Sequence, residues 1–186
     1  VAAGLRGLPR CTAPGGGTYT VNSAGELCRA CGLCCDGTLF AHVRLGAARD
    51  AAAWRTRGLK VRLTRTQPSI ARSPQPCAAL CTDRTCRIYA ERPAQCRAFE
   101  CQVFKDLAAR RIESAAALRL VRRARRLADR ARGLLRRLGC EDEHRPLEQR
   151  FLRVRRRAES GEFDASAHDL CAELSLVMHR LRSEEH

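Results

Sequence analysis

The segment Cys28-Arg-Ala-Cys31-Gly-Leu-Cys34-Cys35 places four thiols at steps of three, three and one. A two-residue spacer lets the chain turn so that both flanking sulfurs reach one ion. The intervening backbone N–H groups then point at the sulfurs and favour thiolate. Adjacent cysteines cannot share an ion so easily, because side chains on neighbouring Cα atoms diverge. Cys34 and Cys35 are therefore expected to serve different ions, or different irons of one cluster, which implies more than four ligands in all.

Further thiols follow at Cys77, Cys86, Cys96 and Cys101. Four upstream and four downstream suit two tetrahedral tetrathiolate sites, or one cluster plus one further ion. The candidate metal ligands are thus Cys28, Cys31, Cys34, Cys35, Cys77, Cys86, Cys96 and Cys101, and they would staple the two halves of the segment together. Soft sulfur selects zinc or iron, including an iron–sulfur cluster, over magnesium or calcium, and no local His pair supports a His-rich iron or copper site. A simple ferredoxin run is disfavoured, since the fourth Cys follows the third at once and Asp36 comes after it. Spacing leaves zinc and iron–sulfur both open.

Of the twelve cysteines, nine lie between Cys28 and Cys101. Cys81 is a ninth local thiol whose part in binding the spacing leaves open, and Cys11, Cys140 and Cys171 read as lone thiols. Arg92 and Arg97 stand beside the ligands and would neutralise a thiolate-rich centre, or else bind a carboxylate. Tyr89 reads as core packing with its hydroxyl bonded to a loop, and His42 as a strand surface residue. No Gly-rich phosphate loop, serine nucleophile motif or H-E-x-x-H occurs, so any catalysis would depend on the metal centre, and no catalytic residue is assigned.

These residues resemble a known family, the bacterial C-x-x-C-x-x-C-C proteins, described as a zinc- or iron-chelating domain and similar to part of flagellin lysine N-methylase. The likeness runs from Cys28 to Cys101, about two fifths of the chain. It rests on the first cysteine block, Gly37 and Phe40, Cys77, Cys86-Arg-Ile-Tyr89, Arg92-Pro93, and Cys96-Arg97-x-Phe99-x-Cys101. The resemblance implies metal binding through the eight cysteines named, places Cys81 outside the usual pattern, and leaves the reaction open.

The expected fold is α+β: a small metal-stapled, cysteine-rich module followed by a mainly helical bundle. Residues 1–26, with Pro9, Pro14 and Gly15 to Gly17, read as a flexible lead-in. Residues 27–104 form the cysteine-cluster domain and 105–186 an arginine-rich helical region. Within the module, Thr38 to Leu45 and Leu59 to Thr66 have strand character, Ala47 to Arg57 a short helix ended by Gly58, and Ser69 to Pro76, holding two prolines, reads as loop. A short helix carries Val103, Phe104 and Leu107. A longer one, capped by Ser114 and closed at Gly139, carries Leu118, Val121, Ala124, Leu127, Ala128, Ala131, Leu135 and Leu138 at helical spacing. Two more run from Pro146 to about Glu159 and from Ala165, with Asp164 as N-cap, to about Leu181.

The net charge of +15 and a pI near 10.1 would ordinarily point to a polyanion. However, 33 of the 35 basic residues are arginine in an alanine-rich, aromatic-poor chain, a pattern that GC-rich coding produces by itself. Nucleic acid is therefore not the expected partner, and Arg122, Arg123, Arg125, Arg126, Arg130, Arg136 and Arg137 read first as a solvated face. A protein partner would meet the helical region. No run of 18 apolar residues occurs, so no membrane span is expected. Val1 to Leu8 lacks an apolar core behind it, so a cytoplasmic location is expected. The function this suggests is a cysteine-cluster metal-binding protein holding zinc or an iron–sulfur centre through eight thiolates. The alternative is a metal- or iron–sulfur-dependent enzyme of redox or protein methyl-transfer chemistry, the direction in which the methylase likeness leans.

Overall fold

A computed structural model describes residues 23–183. The expectation for residues 1–22 lies outside them, as does Cys11. Helix α1 (Ala24–Cys31) opens with a capping box. Ser23 Oγ accepts from the Glu26 N–H at 3.3 Å, and Glu26 Oε2 accepts from the Ser23 N–H at 3.1 Å. Gly32 ends the helix at φ +71°, where a Cβ would meet the Arg84 carbonyl oxygen at 2.9 Å. Glycine thus serves both the left-handed turn and the close approach of a second loop.

Strand β1 (His42–Ala47) leads through a 3-10 turn (Ala48–Asp50) into helix α2 (Ala51–Thr56), and two strands follow, β2 (Arg62–Leu63) and β3 (Ile70–Pro74). All pairing is antiparallel in the order β1-β3-β2. The segment expected as loop is therefore the central strand of the sheet. Its prolines do not prevent this, because Pro74 is the last strand residue and Pro76 lies beyond it, so Ile70 to Ser73 keep their ladder donors. The second expected strand shrinks to two residues on an exposed edge.

Short helices α3 (Ala94–Ala98) and α4 (Gln102–Ala108) carry the chain to α5 (Ser114–Arg137), α6 (Leu147–Glu159) and α7 (Ala165–Ser183). Here the apolar periodicity located the elements to within a residue or two. Glu113 rather than Ser114 takes the N-cap position of α5, Gly139 follows its end at φ +72°, and Asp164 Oδ1 accepts from the Ala167 N–H at 2.8 Å. A core of Ala128, Ala131, Leu134, Leu135, Leu147, Phe151, Val154, Leu174, Val177, Met178 and Leu181 joins the three helices, and Leu33 of the cysteine loop is buried in it. A second core links Leu27 of α1 to Ala117 and Val121 of α5, and a third lies under the sheet, around Leu45, Ala51, Leu59, Ala71 and Ala79. The cysteine-bearing segments are seated between these cores.

An ion network, buried except at the partly exposed Asp129, joins the same parts. Asp36, next to Cys35, accepts from Arg84 at 3.0 Å and from Arg132 at 3.0 Å, while Asp129 accepts from both arginines, at 2.8 Å and 3.1 Å. Two carboxylates and two guanidiniums cancel in charge, which is the condition under which such groups tolerate burial.

Candidate metal centre

All eight candidate ligands line one cavity of about 500 Å³. Cys28 and Cys31 come from the last turns of α1. Cys34 and Cys35 come from the turn after Gly32, which is held by Cys35 N–H and Asp36 N–H donating to the Gly32 carbonyl, each at 3.0 Å. The downstream thiols arrive opposite them because the Cys77 N–H donates to the Cys35 carbonyl at 2.7 Å. Cys96 lies on α3 and Cys101 immediately precedes α4.

Backbone N–H groups approach three of the sulfurs, of which only Cys31 belongs to the run with two-residue spacers. Leu33 bonds toward Cys31, Ala79 and Leu80 toward Cys77, and Ile88 toward Cys86. The Ala79 nitrogen stands 3.4 Å from Cys77 Sγ. These bonds favour thiolate, but burial outweighs them. It pushes Cys31 up to about 12 and Cys96 up to about 11, Cys34 and Cys35 far up, and Cys28, Cys77 and Cys86 up to a lesser degree.

After burial, the thiols raise one another in two sets. Cys28, Cys31, Cys34 and Cys101 act within one set, and Cys35, Cys77, Cys86 and Cys96 within the other. The sets touch through Cys34 and Cys35 and through Cys28, which feels Cys86 and is felt by Cys96. The adjacent cysteines thus face different neighbours. The split does not follow the order of the chain, since Cys35 goes with the downstream thiols and Cys101 with the upstream ones. Spacing had no means of showing this crossing, because it depends on how α1 and α4 pack together.

Among the described residues, no three His, Cys, Asp or Glu side chains already stand in ligating geometry. The sulfurs are gathered around a common space without being closed on a common point. The chemistry of the donor set still fits the expected ions. Eight soft sulfurs suit zinc or iron better than a hard cation, although Glu100 also lines the cavity.

The neighbouring residues agree with expectation only in part, since the Tyr89 hydroxyl bonds helix α1 rather than a loop and Arg97 is exposed. Tyr89 packs at the cavity and its hydroxyl donates to the Gly25 carbonyl at 3.2 Å. Arg92 lines the cavity with its guanidinium 3.9 Å over the Tyr89 ring, whereas Arg97 is exposed and bonds the Arg92 carbonyl. Cys81 is fully buried and is not a free thiol. Cys140 is buried in the helical core, Cys171 sits on α7, and His42 is exposed on β1.

Most arginines named for the solvated face are exposed, but Arg125 and Arg136 are half-buried. The reading missed Arg84, Arg132 and Arg150, which are buried. No sequence signal separates them from the other arginines, apart from the acidic residue Asp129 three positions before Arg132. Among the described residues, no helix is long and apolar enough to cross a membrane.

Comparison with known proteins gives one match. Residues 27–118 fit the model of the CxxCxxCC family, whose description reads "Putative zinc- or iron-chelating domain". No curated protein and no solved structure matches.

Proposed function

The chain belongs to the CxxCxxCC family through residues 27–118, and from that premise we propose that it binds zinc or iron through Cys28, Cys31, Cys34, Cys35, Cys77, Cys86, Cys96 and Cys101, with the ion or cluster holding the module together. The observation that carries this reading is the convergence of all eight thiols, from segments more than 40 residues apart, on one cavity. Two sets of four suit two tetrathiolate sites, or an iron–sulfur cluster beside a second ion. When bound, the metal would supply cross-linking of the two segments, and iron–sulfur would add electron transfer. The chain itself contributes eight thiols gathered around one space, backbone N–H groups aimed at Cys31, Cys77 and Cys86, and the Arg92 guanidinium at the same cavity.

Metal analysis of anaerobically purified protein tests the reading directly. Zinc alone supports structural sites, and iron with acid-labile sulfide supports a redox centre. Cys35→Ser should lower bound metal, whereas Cys171→Ser should leave it unchanged. Equal metal content in the two variants would remove the ligand assignment. A catalytic reading is favoured by one observation: the cavity has more room than two ions occupy.

A further inference from the structure

A cavity of about 500 Å³ falls in the range of small-molecule pockets, roughly 300–1,000 Å³. Its wall is not made of sulfur alone. Phe40 and Phe99 meet edge to face with centroids 4.8 Å apart, and Val43, Leu45 and Leu59 add apolar surface among the thiols.

Set into this wall are two polar side chains that continue the inward row of β3. Ser73 is 1% exposed and Gln75 2%. Both line the cavity, and neither Ser73 Oγ nor Gln75 Oε1 has a hydrogen-bond partner. Arg92 lines it too, and its buried Nε is likewise unpartnered. Buried polar atoms in folded proteins are nearly always paired, so three orphans around one space indicate a partner that enters from outside the chain. Inward positions of a central strand ordinarily carry apolar residues, as Ala71 does here, which makes the two polar ones harder to explain by packing.

We propose that the cavity binds, beside its thiols, a small organic acid that also carries an N–H or O–H donor. Arg92 pairs with the carboxylate through its planar guanidinium. Gln75 Oε1 accepts from the donor, Ser73 Oγ completes the polar contact, and the apolar body of the ligand lies against Phe40 and Phe99. The proposal rests on reading the thiol wall as a metal centre, beside which such a ligand would sit.

The test titrates the full-length, metal-loaded protein with N-benzoylglycine and with 3-benzoylpropanoate, in which a methylene replaces the amide N–H. Wild type should bind the first at least ~10-fold more tightly, because a site built around a buried acceptor rejects the analogue that leaves it unpaired. Gln75→Leu should abolish that preference, and Ser73→Ala should reduce it, with the metal content of both variants equal to wild type and their Tm no lower. Absent or equal binding of the two compounds by metal-replete wild type overturns the proposal. So does a lower Tm for Gln75→Leu, which would assign the amide to ordered water or to the fold. Wild type that holds no metal, measured on the same samples, would instead show that the metal reading itself has failed and would take the proposal with it.

Discussion

Asp36 lies one residue past the first run of thiols with its carboxylate out of water, answered by Arg84 and Arg132. Removing one member of a buried pair leaves its partner charged and unsolvated, at a cost of about 3–5 kcal/mol. Asp36→Ala should lose that much in urea denaturation. Asp142→Ala, which breaks the exposed pair with Arg145, should lose no more than about 1 kcal/mol. Similar losses for the two variants would show that the network adds little.

The cysteines were legible in the sequence because thiols are rare and their spacing has a chemical meaning. The arginines of the ion network were not, since 33 arginines give no local sign of which few face inward.

The elements divide along the same line. Helices α5, α6 and α7 could be read from the chain because an apolar stripe repeats over 13 to 24 residues and end signals mark it. Helix α1 escaped notice. Its eight residues hold two cysteines and a glycine, and its one fully buried side chain, Leu27, leaves no period to detect. Strand β3 was masked by its prolines, and only the pairing with β1, where Val43 faces Ser73, reveals it as central. The cavity depends on both unseen elements. Helix α1 brings Cys28 and Cys31, and β3 brings Ser73, so the thiols were legible as candidate ligands but the space they line was not.

At the scale of the whole molecule, the sheet and cysteine loops have little core of their own, while α5, α6 and α7 share a large one. Structural zinc contributes an apparent ~10–16 kcal/mol in small zinc peptides, against ~5–15 kcal/mol of net stability for an ordinary domain. Chelation in the presence of reductant should therefore make residues 28–101 sensitive to protease, while much of the α5 to α7 helical circular dichroism survives. Continued resistance of 28–101 without metal would mean that the ion is not structural, and would favour a labile or catalytic one. The surviving bundle should be looser than in the holo form, because Leu33 and Asp36 leave its core and its ion network with the loop.

The crossing of the thiol sets makes the peptide link between the two cysteine blocks expendable. Residues 65–69 are exposed, and a cut between Thr66 and Gln67 leaves Cys28, Cys31, Cys34 and Cys35 on one fragment and the other four candidate ligands on the second. Neither fragment can complete either set: one lacks Cys101, and the other lacks Cys35. The ion would then act as an obligate rivet between separate polypeptides. Mixed fragments should co-elute in gel filtration when zinc or iron is supplied and part again on adding chelator. Two fragments that each take up a full complement of metal alone would mean that the sets follow the order of the chain after all.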